Sequence, residues 1–153
     1  MFGAVKNTGI DFDVYNKIEI SLIDNGTPLP PKANSFEDMG IGEALIANIG
    51  RMNYKEPTPI QKIAVPIAIS GRDLISCAQT GSGKTAAFMF PTITRLLGCL
   101  GAERDVVLAA AGETAKPMAL IVTPTRELAI QIATEADKFT FKMPLSACVA
   151  YGG

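Results

Sequence analysis

The chain contains no histidine, and its three cysteines, Cys77, Cys99 and Cys148, stand far apart with no CxxC pair. A zinc site and a disulfide framework are both excluded, the first for want of ligands and the second because the thiols are odd in number and scattered. Cys77 and Cys148 fall in apolar runs, so both are expected to be small buried hydrophobes kept reduced. An excess of either charge is also lacking: 14 Lys and Arg against 15 Asp and Glu leave a net charge of −1. That excludes the broad positive field of a protein that coats duplex nucleic acid, so any such contact must be local. No apolar run reaches the roughly 18 residues a membrane span requires, and no charged-then-apolar leader follows Met1. A soluble intracellular protein with no membrane role is expected. Internal repeats and low-complexity tracts are missing too.

What is present reads as one packed unit, because 48% of the 153 residues are apolar and only 19% charged. Residues 1–34, with Gly26, Pro28, Pro30 and Pro31 and a short apolar alternation of Ile18, Ile20 and Leu22, read as an extended arm able to hold one strand. Leu45, Ile46, Ile49 and Met52 follow helical spacing over 43–52, and Pro57 and Pro59 are expected to stop regular structure. A second short helix spans 61–69, with Ile63, Ala64, Ile67 and Ala68 on one face and Pro66 costing it a hydrogen bond.

Three apolar runs, 73–78, 118–123 and 145–151, predict buried strands. Helices follow the first two, from Lys84 onward and over 125–139, where Leu128, Ile132, Ala136 and Phe139 share a face. Pro91 is expected to kink the first of these helices. Residues 98–116, with Gly98, Gly101 and Gly112 around an Ala/Val cluster, read as a surface excursion holding one helical turn. The alternation of strands and helices predicts an α/β fold, a parallel sheet with helices on both faces.

The strongest chemical signal is Ala78-Gln79-Thr80-Gly81-Ser82-Gly83-Lys84-Thr85, placed between a predicted strand and a predicted helix. Gly81 and Gly83 let the backbone turn its amides inward, so that several N–H dipoles and a helix amino end converge on phosphate oxygens. Lys84 adds a point charge for the outer phosphates, and Thr85 offers a hydroxyl to Mg²⁺, which keeps water and phosphate oxygens as its other ligands. The general pattern GxxxxGK[ST] has glycine where this chain has Ala78.

Alanine at that position is ordinary in the phosphate loop of DEAD-box RNA helicases, which Ala78 to Thr85 resembles. Upstream, Tyr54-Lys55-Glu56-Pro57-Thr58-Pro59-Ile60-Gln61 resembles the Q motif of the same family, with Phe36 as the isolated aromatic ahead of it and Asn53 where relatives often have glycine. The resemblance implies that Tyr54, Thr58 and Gln61 join the loop in binding ATP. A glutamine amide can donate to N7 of adenine and accept from its N6 amine, whereas guanine offers two acceptors on that edge, so Gln61 is expected to favour ATP over GTP. Tyr54 is placed to stack on the base, although such a tyrosine is by itself more often a core plug.

Downstream, Pro124-Thr125-Arg126-Glu127-Leu128-Ala129 resembles motif Ia, and Tyr151-Gly152-Gly153 the double-glycine motif on the same surface. Together they imply single-stranded RNA held by its backbone through Pro124, Thr125, Arg126, Gly152 and Gly153. Gly9-Ile10-Asp11-Phe12-Asp13 and Tyr15, with Ser70-Gly71-Arg72-Asp73-Leu74, resemble the branch that contains Vasa and its close cytoplasmic relatives.

The fold implied is the amino-terminal part of the first RecA-like domain, residues 35–153, preceded by the arm of residues 1–34. No Asp-Glu-Ala-Asp run and no Ser-Ala-Thr motif occurs in the 153 residues. In the family the acidic run helps hold Mg²⁺ and position water, and a second RecA-like domain closes over ATP and RNA. The 153 residues are therefore expected to bind ATP and, weakly, RNA without turnover, as a monomer in the cytoplasm, the nucleus or a ribonucleoprotein granule. Two alternatives stand beside this reading: a nucleotide module of another phosphate-loop class, such as a transporter ATPase or kinase, and a non-enzymatic fragment whose arm binds a partner protein.

Overall fold

The computed structural model describes residues 19–24, 26–109 and 117–152. Residues 1–18, including Ile18 of the arm's apolar pattern and the 9–15 segment, lie outside that range, as do 25, 110–116 and 153. The described part of the arm, from Glu19, has no regular structure, and Leu22 and Ile23 are exposed. It is tied down further along. Arg72 donates to the carbonyls of Pro28 (2.9 Å) and Thr27 (3.4 Å), and the backbone N–H of Ala33 donates to Lys62 O at 2.9 Å. Asp38 then accepts from the backbone N–H groups of Asn34 and Ser35, which holds its carboxyl below the ordinary value and closes a tight 3-10 turn over 37–39. That turn delivers Phe36 and Met39 into the core.

Helix α1 (Glu43–Arg51) buries Leu45, Asn48 and Ile49. It ends at Asn53, whose φ of +60° is a left-handed value that asparagine tolerates better than most residues. Asn53 thus makes the turn for which glycine is the commoner choice. Asn48 sits buried with Nδ2 donating to the carbonyls of Phe139 (2.7 Å) and Phe141 (2.9 Å), which fastens α1 to the far end of the chain. Helix α2 (Pro59–Ile69) begins two residues before the expected position, because Pro59 occupies its first turn, where a missing N–H costs nothing and the fixed φ is already helical. Pro59 therefore starts a helix instead of stopping one.

Helix α3 (Lys84–Ala109) corrects the reading of 98–109 as an excursion. Gly98 and Gly101 each cost about 1 kcal/mol of helix propensity. Extending a helix already nucleated and packed needs far less than starting one, so the helix runs past both. Pro91 lies inside α3 without ending it, and Thr92 and Thr94 just after it donate back to the carbonyls of Phe88 and Phe90 at 2.7 and 2.8 Å. Helix α4 (Arg126–Phe139) has Thr125 as its N-cap and buries Ile132, Ala136 and Phe139 as the pattern predicts, with Leu128 packed at the margin.

Four of the chain's ten aromatic residues form a chain of edge-on contacts: Phe36 to Phe90 at 6.0 Å, Phe90 to Phe139 at 5.1 Å, and Phe139 to Tyr54 at 6.2 Å. This links the 3-10 turn, α3, α4 and the segment before α2. The three runs predicted as strands have no regular secondary structure among the described residues, and no strand or sheet ladder is formed there. Most of their apolar side chains face outward, with Ile75 94% and Val122 82% exposed, while Leu145 packs partly buried against the core. Cys77, Cys99 and Cys148 are all exposed, against the expectation that Cys77 and Cys148 are buried. An apolar run signals a need for cover, and these segments carry no cover within the described residues.

Phe90 is fully buried at the centre of the aromatic chain. Phe90→Ala is expected to lower stability by about 3–5 kcal/mol, seen as a fall in the urea midpoint with little change in slope.

Candidate functional site

The approach to α2 is extended, with Thr58 at φ −70°, ψ 160° as its N-cap, and three residues later Gln61 is completely buried. Gln61 Oε1 accepts from the Thr58 backbone N–H at 3.0 Å, and Gln61 Nε2 donates to the Gly83 carbonyl at 3.1 Å. One amide therefore closes the start of α2 and grips the phosphate-type loop 22 residues away. Each polar end of the amide keeps capacity for one more hydrogen bond.

The loop needs its two glycines for different reasons. Gly81, at φ +81°, has open space around it and is required only for its backbone conformation. At Gly83, φ is +88°, and a Cβ there would collide with the Gln61 amide and lie 3.0 Å from Thr58 Oγ1. Lys84 opens α3, and its Nζ donates to the carbonyls of Ala78 and Gln79, the latter at 2.6 Å, so the ammonium is held over the loop. Ala78, Gln79 and Thr80 form the exposed rim.

Two buried hydroxyls lie beside Gly83, Ser82 Oγ and Thr58 Oγ1, on residues 7% and 4% exposed; Thr58 Oγ1 faces the Gln61 backbone N–H in the capping box that starts α2 but donates to nothing, and Ser82 Oγ has no hydrogen-bond partner. Buried hydroxyls are rarely left without partners. Unused donors, inward-turned glycines, a helix start and a lysine together suit the oxygens of a phosphate chain. Thr85, half-buried in the first turn of α3, offers one hydroxyl to a cation. Among the described residues no three His, Cys, Asp or Glu come together, so Mg²⁺ here would draw its remaining ligands from phosphate and water.

Tyr54 is partly buried and packs against the core. Its ring meets Phe139 edge-on, and it shares with Phe36, Ile46, Ile49, Lys55 and Pro57 the wall of a half-open cavity of about 180 Å³. Burial first, and the nearby Glu135 carboxylate second, push its phenol up to about 12. Glu135 is itself raised by burial, with Lys138 pulling the other way.

A second cluster forms at the amino end of α4. Thr125 Oγ1 accepts from Leu128 N at 3.3 Å, while Thr123 Oγ1 donates to Thr125 O at 3.0 Å, so the backbone before Arg126 is fixed from both sides. The Arg126 guanidinium lies over the Tyr151 ring, 4.1 Å from its centre. Pro124, Thr125, Arg126 and Gly152 are thus gathered on one exposed surface, and Gly153 lies outside the described residues. Sequence reading missed the partnership of Arg126 with Tyr151 and that of Gln61 with Gly83, since neither pair shares a periodic element.

Two outcomes follow for this site. Gly83→Ala is expected to weaken nucleotide binding and lower thermal stability together, whereas Gly81→Ala meets backbone strain alone; calorimetric titration and melting of both variants separate the two. Because the Tyr54 phenol is raised on folding, the stability it contributes is complete below pH 10 and is lost as pH climbs from 10 towards about 12. Tyr54→Phe is expected to flatten that part of a urea-midpoint profile.

A model of the family described as DEAD/DEAH box helicase matches residues 58–153. The chain is 48% identical over 143 residues to DEAD-box ATP-dependent RNA helicase 52A of Oryza sativa subsp. japonica, covering 90% of this chain and 23% of that protein. It is 47% identical over 149 residues to a probable ATP-dependent RNA helicase, ddx3, of Dictyostelium discoideum, covering 96% of this chain and 21% of the relative. Among solved structures it is similar to the RNA-helicase Prp28 from Chaetomium thermophilum bound to ADP, with a TM-score of 0.66 and 38% identity over 84% of this chain and 29% of that one. A second, S. cerevisiae dbp5 bound to gle1 and ip6, gives a TM-score of 0.57 and 30% identity over 72% of this chain and 25% of that one. The chain spans less than a quarter of the length of either sequence relative. With the motif-bearing residues 58–153 matched and the Gln61-to-loop geometry in place, the chain belongs to the DEAD-box ATP-dependent RNA helicase family.

Proposed function

We propose that this chain carries the ATP-binding site, and part of the RNA-binding surface, of an ATP-dependent RNA helicase that remodels short RNA duplexes. Residues 35–153 are read as the amino-terminal part of a RecA-like domain, with the arm of residues 1–34 before it and the runs 73–78, 118–123 and 145–151 as strands of its parallel sheet. The observation that carries the proposal is the hydrogen bond from Gln61 to the Gly83 carbonyl. It makes the adenine-side motif and the phosphate loop one rigid unit, which is what a site for a base joined to a phosphate chain requires.

In this reading the loop amides from Ala78 to Gly83, with Ser82 Oγ and Lys84 Nζ, hold the phosphates, and Thr85 meets Mg²⁺. The base is assigned to the Gln61 amide, which keeps one donor and one acceptor for it, with Tyr54 as the ring to stack on it. Bound ATP and Mg²⁺ supply the phosphoryl bond that is cleaved and the charge that neutralises its oxygens. The ADP bound to the Prp28 neighbour and the naming of both sequence relatives as ATP-dependent support the nucleotide. RNA is gripped locally by its phosphates at Pro124 to Arg126 and at Gly152 and Gly153, because a net charge of −1 leaves no general field to hold it.

Titration with fluorescent ATP and competition by GTP test this reading. Lys84→Ala is expected to weaken ATP binding roughly ten- to hundred-fold through loss of a charged phosphate contact. Gln61→Ala is expected to erode the preference for ATP over GTP more than the affinity for free triphosphate. A polypeptide of these 153 residues is expected to bind without RNA-stimulated phosphate release. Unchanged ATP affinity in a folded Lys84→Ala variant would refute the site.

A further inference from the structure

Arg126 occupies a position that helix stability does not explain. It is the first residue of α4, where the helix dipole disfavours a cation, and its neighbour Glu127 is one residue on and so not on the same face. Among the described residues no carboxylate pairs with it; its one partner is the Tyr151 ring, 4.1 Å from the guanidinium carbon. A ring face attracts the charge without consuming directional donors, so the five N–H groups stay available. The backbone at Thr125 is already pinned by Thr123 and Leu128, so the ring under the guanidinium fixes what remains, the long side chain.

We propose that Tyr151 is a positioning residue for Arg126: its ring holds the guanidinium in one place on the exposed surface, ready for an RNA phosphate. The inference rests on the reading of Arg126 as a backbone contact. It gives Tyr151, which need not touch the RNA, a share in the grip. An exposed arginine otherwise gives up much of its rotamer freedom on binding, and a ring that restricts it beforehand lowers that cost.

The test is anisotropy of labelled single-stranded oligo-uridine, repeated with oligo-adenosine, against the full chain at low ionic strength. Arg126→Ala is expected to weaken both about ten-fold. Tyr151→Leu is expected to weaken both roughly two- to five-fold, the scale of an exposed cation–π contact, and Tyr151→Phe to keep the original affinity. The double variant is expected to bind no more weakly than Arg126→Ala alone, since the ring acts only through the arginine. Losses that add in the double variant would overturn the proposal by showing that Tyr151 meets the RNA directly. Full affinity in Tyr151→Leu beside a loss in Arg126→Ala would overturn it while leaving Arg126 as a contact. No loss in Arg126→Ala would sink both readings. Matching urea midpoints among the variants keep unfolding out of the comparison.

Discussion

The Gln61 side chain is the point on which the junction between α2 and the Gly-rich loop depends. It is fully buried, and burying an amide is tolerable only when its polar ends are matched. Here one end is matched by the turn that starts α2 and the other by the loop that starts α3. Glycine at 83 is the second half of the same constraint, since the amide occupies the space a side chain would need. A residue read from sequence as a selector of bases is, in the folded chain, also the brace between two motifs. A change there reaches the loop at Gly83 as well as the start of α2.

Behind that brace stands the chain of aromatic rings. Phe36, Phe90, Phe139 and Tyr54 come from four separate parts of the sequence, and large buried rings contribute more apolar area than any other side chains. They set α3 and α4 relative to α2, so the loop rests on a packed base instead of on its own few hydrogen bonds. Asn48 adds a polar fastening at the same end, between α1 and the carbonyls at the close of α4. The interior is thus most specific beneath the nucleotide motifs. The outward faces of residues 73–78 and 118–123 contribute apolar area without cover.

Much of this was legible beforehand, for identifiable reasons. The turn at Gly81 and Gly83, the helix that opens at Lys84 and the buried face of α4 were legible because glycine and 3.6-residue spacing each have a local physical meaning. Residues 98–109 were misread because two glycines suggested a break, whereas continuation of a packed helix outweighed their propensity. Pro59 was misread because proline ends one helix and begins another with equal ease. The exposure of Cys77 and Cys148 was invisible, since apolar neighbours predict a wish for burial and say nothing of the partner that provides it. The pairings Gln61 with Gly83 and Arg126 with Tyr151 bridge 22 and 25 positions, and no sequence period encodes such encounters.

Helix α3 also has a mechanical side. Its 26 residues rise about 39 Å from a base whose first residue, Lys84, is the phosphate-loop lysine. Such a length acts as a lever: a tilt of about 5° at its foot displaces its far end by roughly 3 Å. The glycines at 98 and 101, carried along without breaking the rod, let that length persist. A small tilt at Lys84 is thereby magnified at the far end of α3.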